Sequence, residues 1–292
     1  MKTQLQHLHL DQTIPGQVTV WIDVAERSVN VLFEEVLAEL VDVLNEMRCE
    51  EPPPTLIFRS AKRKGFIVGA DLNRILAMET DAEIQSFLLT GQAALENLEA
   101  YPGGTIALIQ GPCLGGGLEF AMACRYRIAS DAETTQLGMP EAKLGLMPGW
   151  GGTQRLIEII GYVHGLKMLL SGEPVNALQS LELQLVDKLF NDPSIEKDLS
   201  QFAEDVLRWK ISKKQADRTD EETRKIVARD FQDSKLSAPF PLSQSAIFQA
   251  VTIGMDESRQ DGFLAERALF HPLLMSPAVR DGLQRFATRP KK

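Results

Sequence analysis

Residues Gly111–Arg155 read GPCLGGGLEFAMACRYRIASDAETTQLGMPEAKLGLMPGWGGTQR, and the rest of the chain is organised around them. Three consecutive glycines, Gly115, Gly116 and Gly117, lead into Leu118 and Glu119. Phe120 to Cys124 continue as a helical pattern that is apolar nearly all round, so the helix is expected inside the protein. Glycines at a helix mouth let the backbone turn tightly and leave amide N–H groups uncovered. Those N–H groups, at the positive end of the helix, form a site for an anion. Further on, Pro140-Glu141 precedes a second glycine turn, Pro148-Gly149-Trp150-Gly151-Gly152. In purely structural terms the triplet is a turn before a packed helix, and Glu119 is a favourable partner for the helix dipole. In chemical terms an oxyanion donor with two carboxyls is an enzyme's inventory. An acid at the entrance of a buried helix needs a partner or a task.

Upstream, Val18–Val24 alternates as a strand, Leu32–Met47 carries apolar residues at helical spacing, and Thr55–Ser60 is a short buried strand. Glu50-Glu51-Pro52-Pro53-Pro54 ends the helix between them. This strand–helix–strand order predicts an α/β layer with parallel pairing. In Lys62–Leu72, Gly69-Ala70-Asp71 interrupts an apolar strand; Asp71 is an N-cap candidate, and the Ala70 N–H is a candidate second donor to an oxyanion. Further helices are expected over Glu83–Glu99, from Gly151 through Ile160, over Leu166–Leu170 and over Gln260–Leu274. Thr105–Gln110 reads as a buried strand and Arg127–Ser130 as a strand edge.

The chain has 292 residues, 44% apolar, with a net charge of −9. That length holds one large domain or two small ones. The negative charge argues against a nucleic-acid or anionic-membrane surface. No apolar run of about 18 residues predicts a membrane span. No signal peptide is expected from MKTQLQHLHLDQT. Cys49, Cys113 and Cys124 lack metal spacing and are expected as reduced thiols in a cytoplasm-like compartment. The four histidines lack ligand spacing, so no metal is expected. No GxSxG elbow supports a hydrolase, and His164 and His271 have no evident nucleophile. No strand followed by GxGxxG supports a dehydrogenase.

GPCLGGGLEFAMACRYRIAS followed by LGMPEAKLGLMPGWGGTQRL resembles the signature of the crotonase (enoyl-CoA hydratase/isomerase) superfamily. The resemblance runs from about Val18 to the C-terminal helix and is strongest over Lys64–Val186. It implies an α/β fold with a spiral ββα core over residues 1–200, with a helix over Ala177–Leu189. A helical C-terminal region over 201–292 follows, with a charged linker at about 210–235. It implies Ala70 and Gly116 as paired oxyanion N–H donors, and Gly149 as a backbone group orienting water. Glu119 is implied as water activator and Glu141 as proton donor to the α-carbon. The implied reaction is hydration of 2-enoyl-CoA in fatty-acid β-oxidation without a cofactor, acyl-CoA being the substrate. Alternatives are Δ3–Δ2 enoyl-CoA isomerisation, for which Glu141 alone suffices, and a non-catalytic acyl-CoA-binding module. The SAPFPLSQSAIFQAV pattern resembles the hydratase part of multifunctional fatty-acid oxidation proteins. A homo-oligomer or membership of a fatty-acid oxidation complex is therefore expected. Lys62, Arg63 and Lys64 are either contacts for CoA phosphates or a solvated basic loop. Two positions depart from the family pattern: Glu173 stands where a basic residue is usual, and Gln184 where a glycine is usual.

Overall fold

The computed structural model describes residues 5–63, 65–191, 195, 199, 202, 221–234 and 240–288. The chain divides into two compact units. The first comprises Met1–Ala70, Ala93–Leu137 and Val175–Lys214. Its main sheet has six strands in the spatial order β1 (Leu8–Asp11), β2 (Gln17–Ile22), β3 (Thr55–Ser60), β4 (Thr105–Ile109), β6 (Tyr126–Ser130) and β9 (Lys188–Phe190). β2, β3, β4, β6 and β9 run parallel, and β1 is antiparallel to β2. Every residue of β3, β4 and β6 is buried, which is what parallel strands covered on both faces require. Arg127–Ser130, read from sequence as a strand edge, is instead interior, because β6 pairs with β4 on one side and β9 on the other.

β1 carries no strand signal of its own in the sequence. Its start is held from a distance by Glu39 on α1 (Glu34–Met47), whose carboxylate accepts the N–H groups of Gln6, His7 and Leu8 at 2.8–2.9 Å. α1 itself forms as read: Val36, Leu37, Leu40, Val43, Leu44 and Met47 make its buried face. A second sheet joins β5 (Pro112–Leu114), β7 (Gln136–Gly138) and β8 (Val175–Asn176). Between β5 and β6 lies α4 (Gly116–Ala123), all eight of its residues buried. Arg127, 1% exposed, ends this helix by donating to the carbonyls of Cys124 at 2.9 Å and Ala121 at 3.5 Å.

The helix expected over Ala177–Leu189 is shorter. α7 (Ala177–Glu182) stops early, with Leu185 and Val186 N–H both donating to the Ser180 carbonyl. Gln184 takes a left-handed φ of 60°, the conformation that a glycine serves at lower cost, and the chain then enters β9.

The second unit comprises Asp71–Gln92, Gly138–Pro174 and Gln215–Lys292. It contains α2 (Leu72–Ala77), most of α3 (Asp81–Glu99), a 3-10 turn over Pro140–Leu144, α5 (Gly152–Ile160) and α6 (Tyr162–Ser171). α8 (Glu221–Ser234), α9 (Pro241–Asp256), α10 (Arg259–Leu274) and α11 (Pro277–Ala287) follow, so every described element from Glu221 onward is helical. α9 and α11 were not foreseen. The charged stretch at about 210–235 lies outside the described residues except for Glu221–Ser234, which form α8; Lys225 pairs with Glu221 on that helix at 2.6 Å. Among the described residues no helix is long and apolar enough to cross a membrane.

Candidate active site

In the first unit three of the expected site residues sit on neighbouring backbone. Leu32 donates to the Gly69 carbonyl at 2.9 Å and forms a parallel bridge with Ala70. In a parallel bridge the flanking residues bond the partner, so the N–H of Ala70 itself points away from Leu32. Segment 65–70 also pairs on its other side: Phe66 donates to Pro112 and Leu114 donates to Ile67. Leu114 leads into Gly115, whose φ of 51° and ψ of −127° turn the chain into α4. Gly117 packs so closely that a Cβ there would overlap the Ile67 carbonyl. The glycine is therefore what lets the Ala70 segment lie against the mouth of α4. Gly116 is the first helical residue, where an N–H has no intrahelical acceptor. No acceptor for the Ala70 or Gly116 N–H is found among the described residues. Glu119 follows in the first turn, 2% exposed.

Cys113 and Cys124, expected as packing thiols, are both buried; Cys113 Sγ donates to the Gly117 carbonyl at 3.4 Å, and burial pushes that thiol far up, away from a nucleophile's range. Lys62 forms an ion pair with Asp23. His164 is exposed on α6, and His271 lies 3.4 Å from Asp81.

In the second unit the structure brings Glu141 and Gly149 into one framework. Pro140 starts the 3-10 turn that carries Glu141, and Gly145, at φ 77°, ends it. Glu141 as a residue is only half-buried, but its Oε2 is sealed from solvent and has no hydrogen-bond partner among the described residues. Burial pushes this carboxyl up to about 7; its own backbone hydrogen bond pulls it back, and the charge of Glu266 adds to the rise. Gly149 lies against Leu88 and Phe270, where a Cβ would collide with Leu88. Its carbonyl accepts Gln92 Nε2 at 3.1 Å, so the N–H is the group it has left to offer a ligand.

Sequence reasoning missed Glu266 and Gln92. Glu266, fully buried on α10, accepts the Gly151 N–H at 2.7 Å and Gln92 Nε2 at 3.2 Å on Oε2. On Oε1 it accepts the Thr153 N–H at 3.0 Å and the Thr153 hydroxyl at 2.6 Å. It thus caps the N-terminus of α5 from another helix. Gln92 also donates to the Phe263 carbonyl at 3.1 Å. A sequence signal exists. Glu266 falls with Phe263, Phe270 and Leu273 on the buried stripe of α10, and Gln92 falls with Leu88 and Leu95 on that of α3. A polar residue on such a stripe needs partners.

A parallel α/β core, a glycine-mouthed buried helix and a helical C-terminal region define a crotonase-type fold. The family profile described as enoyl-CoA hydratase/isomerase matches residues 17–240, and the chain belongs to that family. The chain is 34% identical over 273 residues to the fatty acid oxidation complex subunit alpha of Idiomarina loihiensis, covering 90% of this chain and 38% of that one. With the same subunit from Aliivibrio fischeri it is 33% identical over 267 residues, covering 88% and 38%. The chain thus spans under two fifths of the length of these relatives. Among solved structures it resembles an enoyl-CoA hydratase from Bacillus anthracis, with a TM-score of 0.63 and 25% identity over 96% of both chains. A carnitinyl-CoA dehydratase from Mycobacterium thermoresistibile shares the fold, with a TM-score of 0.77 at 18% identity over 98% of this chain and 91% of that one.

Proposed function

We propose that this chain is an enoyl-CoA hydratase that adds water to 2-enoyl-CoA thioesters in fatty-acid β-oxidation. The observation that carries the proposal is the sealed Glu141 carboxyl, which burial pushes up to about 7 so that it holds a proton near neutrality. An acid with that affinity can give a proton to carbon at working pH, which an ordinary carboxylate cannot. In the proposed reaction Glu119 takes one proton from water as the oxygen bonds the β-carbon. The alkene electrons move onto the thioester oxygen, where the N–H groups of Ala70 and Gly116 stabilise the charge. Glu141 then delivers its proton to the α-carbon as the enolate collapses, and exchange with solvent resets both acids. The Gly149 N–H orients the water. The chemistry calls for no cofactor, since the thioester supplies the activation, and no cluster of metal-ligating side chains is found among the described residues.

The relatives' name, a subunit of a fatty acid oxidation complex, supports assembly into such a complex; a homo-oligomer is the alternative assembly, and a cytoplasmic setting is proposed with either. We assign the core to residues 1–200 and the helical region to 201–292. The proton-holding state of Glu141 also favours isomerisation of 3-enoyl-CoA as an accompanying activity, because a single acid can shuttle that proton. The deciding experiment follows the enoyl-thioester absorbance after the protein is added. Its decay with turnover is the expected result; tight acyl-CoA binding without decay would leave the non-catalytic module.

A further inference from the structure

We propose that Glu266, brought in by α10, is a positioning residue of this site: with Gln92 it fixes the Pro148–Gly152 turn and sets a negative charge beside Glu141. The proposal deepens the hydratase reading and rests on it.

The geometry identifies Glu266 as the charged member of the pair. Each of its two oxygens receives two donors: Thr153 N–H and hydroxyl on Oε1, Gly151 N–H and Gln92 Nε2 on Oε2. The Thr153 hydroxyl accepts Gln154 Nε2 at 2.8 Å and directs its own proton at Glu266 Oε1. A carboxylic acid would displace one of these four donors with its own proton; a carboxylate accepts all of them. The carboxyl of Glu141 is the opposite case, since Oε2 has no donor facing it. Of these two interacting acids, the one with four donors carries the charge, and the one with only its own backbone N–H to draw on carries the proton.

Burial raises the proton affinity of Glu266 overall; the Thr153 hydroxyl, the Thr153 and Gly151 amides and, least, Arg155 from α5 oppose that rise. On α10 itself, Arg267 donates to Gln92 Oε1, and the Arg259 guanidinium lies over the Phe263 ring at 5.2 Å. His271 is occupied near Asp81, and Lys143, beside Glu141, pairs with Glu173 at 2.7 Å. The same carboxylate acts on the backbone. Gln92 joins it to the carbonyl of Gly149, the residue whose own N–H, in the preceding peptide, is proposed to orient water.

Two variants separate the two duties. Glu266→Gln keeps the shape and removes the charge; Gln92→Met keeps the charge and cuts the link to Gly149. The readouts are the 13C carboxyl titration of Glu141 and the pH profile of kcat/KM for a 2-enoyl-CoA, each on protein whose fold is checked by circular dichroism. In Glu266→Gln the Glu141 titration and the alkaline limb of activity should move down together by roughly one pH unit. In Gln92→Met kcat should fall about tenfold with the limb unmoved. An unmoved Glu141 titration in folded Glu266→Gln overturns the assignment. If that variant does not fold, wild-type kcat in Gln92→Met overturns it instead. Wild-type protein without hydratase activity would defeat the proposed function, while the Glu141 titration would still decide whether Glu266 sets its protonation.

Discussion

Glu141 holds its proton where an ordinary carboxyl has lost it, and that single property has consequences for activity and for stability. Glu141→Gln should cut hydration by about 10²–10⁴-fold while circular dichroism stays unchanged, as expected for loss of a general acid. Normal turnover in the folded variant would remove Glu141 from the mechanism. The same carboxyl makes stability depend on pH in a known direction. Its folded value, about 7, lies above its ordinary 4.5, so its contribution is fully present below about 4.5 and is lost as pH rises through 7. Glu141→Gln should therefore match wild type near pH 5 and exceed it near pH 8, by an amount on the order of 1–3 kcal/mol. Urea unfolding at the two pH values tests this; a constant difference would show that the carboxyl is not held neutral. Glu119 is tested by a comparison of reactions. If it activates water, Glu119→Gln should depress hydration of a 2-enoyl-CoA far more than isomerisation of a 3-enoyl-CoA, provided the chain performs the latter. Full hydration in that variant would leave a one-acid isomerase as the better reading.

The mouth of α4 shows how a local sequence signal becomes a site. The glycine triplet was readable because each glycine answers a backbone demand: Gly115 turns the chain, Gly116 begins the helix, and Gly117 admits the Ile67 carbonyl. Gly117→Ala should destabilise the protein by about 1–3 kcal/mol, since the added methyl meets backbone rather than a side chain that can swing away. Urea unfolding checks the cost, and an unchanged midpoint would mean that the two segments separate freely. The interior helices and strands were read correctly for the same reason: α1 carries its helical spacing, and β3, β4 and α4 their short, largely apolar runs, within a few residues. The misreadings lie where distant residues decide. α7 stops at Glu182 because Ser180 captures two later N–H groups and β6 recruits residues 188–190. β1 exists because Glu39, some thirty residues away, collects its first N–H groups. Ser180 lies within the local window, but β6 and Glu39 do not.

The second unit is assembled from three separated stretches of chain, and its C-terminal helices supply what the earlier stretches lack. Glu266 satisfies the Gly151 and Thr153 amides, the Thr153 hydroxyl and Gln92; the Ala250 carbonyl takes Gln154 Nε2 at 2.9 Å. Arg280 on α11 donates to the carbonyls of Leu76 at 2.6 Å and Met78 at 3.0 Å, at the end of α2. A chain truncated before Pro241 loses all of these at once. Each buried donor left unpaired costs about 1–3 kcal/mol, and domain stability totals only about 5–15 kcal/mol. Buried apolar partners go too, among them Ile247, Val251, Phe263, Phe270 and Leu274. The truncated chain should therefore lose hydrogen-exchange protection throughout α5 and α6 and, with the Glu141 turn released, should not hydrate 2-enoyl-CoA. Strands β2, β3, β4 and β6 belong to the other unit, whose hydrogen bonds the truncation leaves in place, so they should exchange more slowly than α5. Exchange monitored by mass spectrometry on both chains resolves the two units peptide by peptide. Native protection of α5 in the truncated chain would show that the first two stretches of the second unit fold without their C-terminal partners, and that Glu266 is dispensable for the turn it caps.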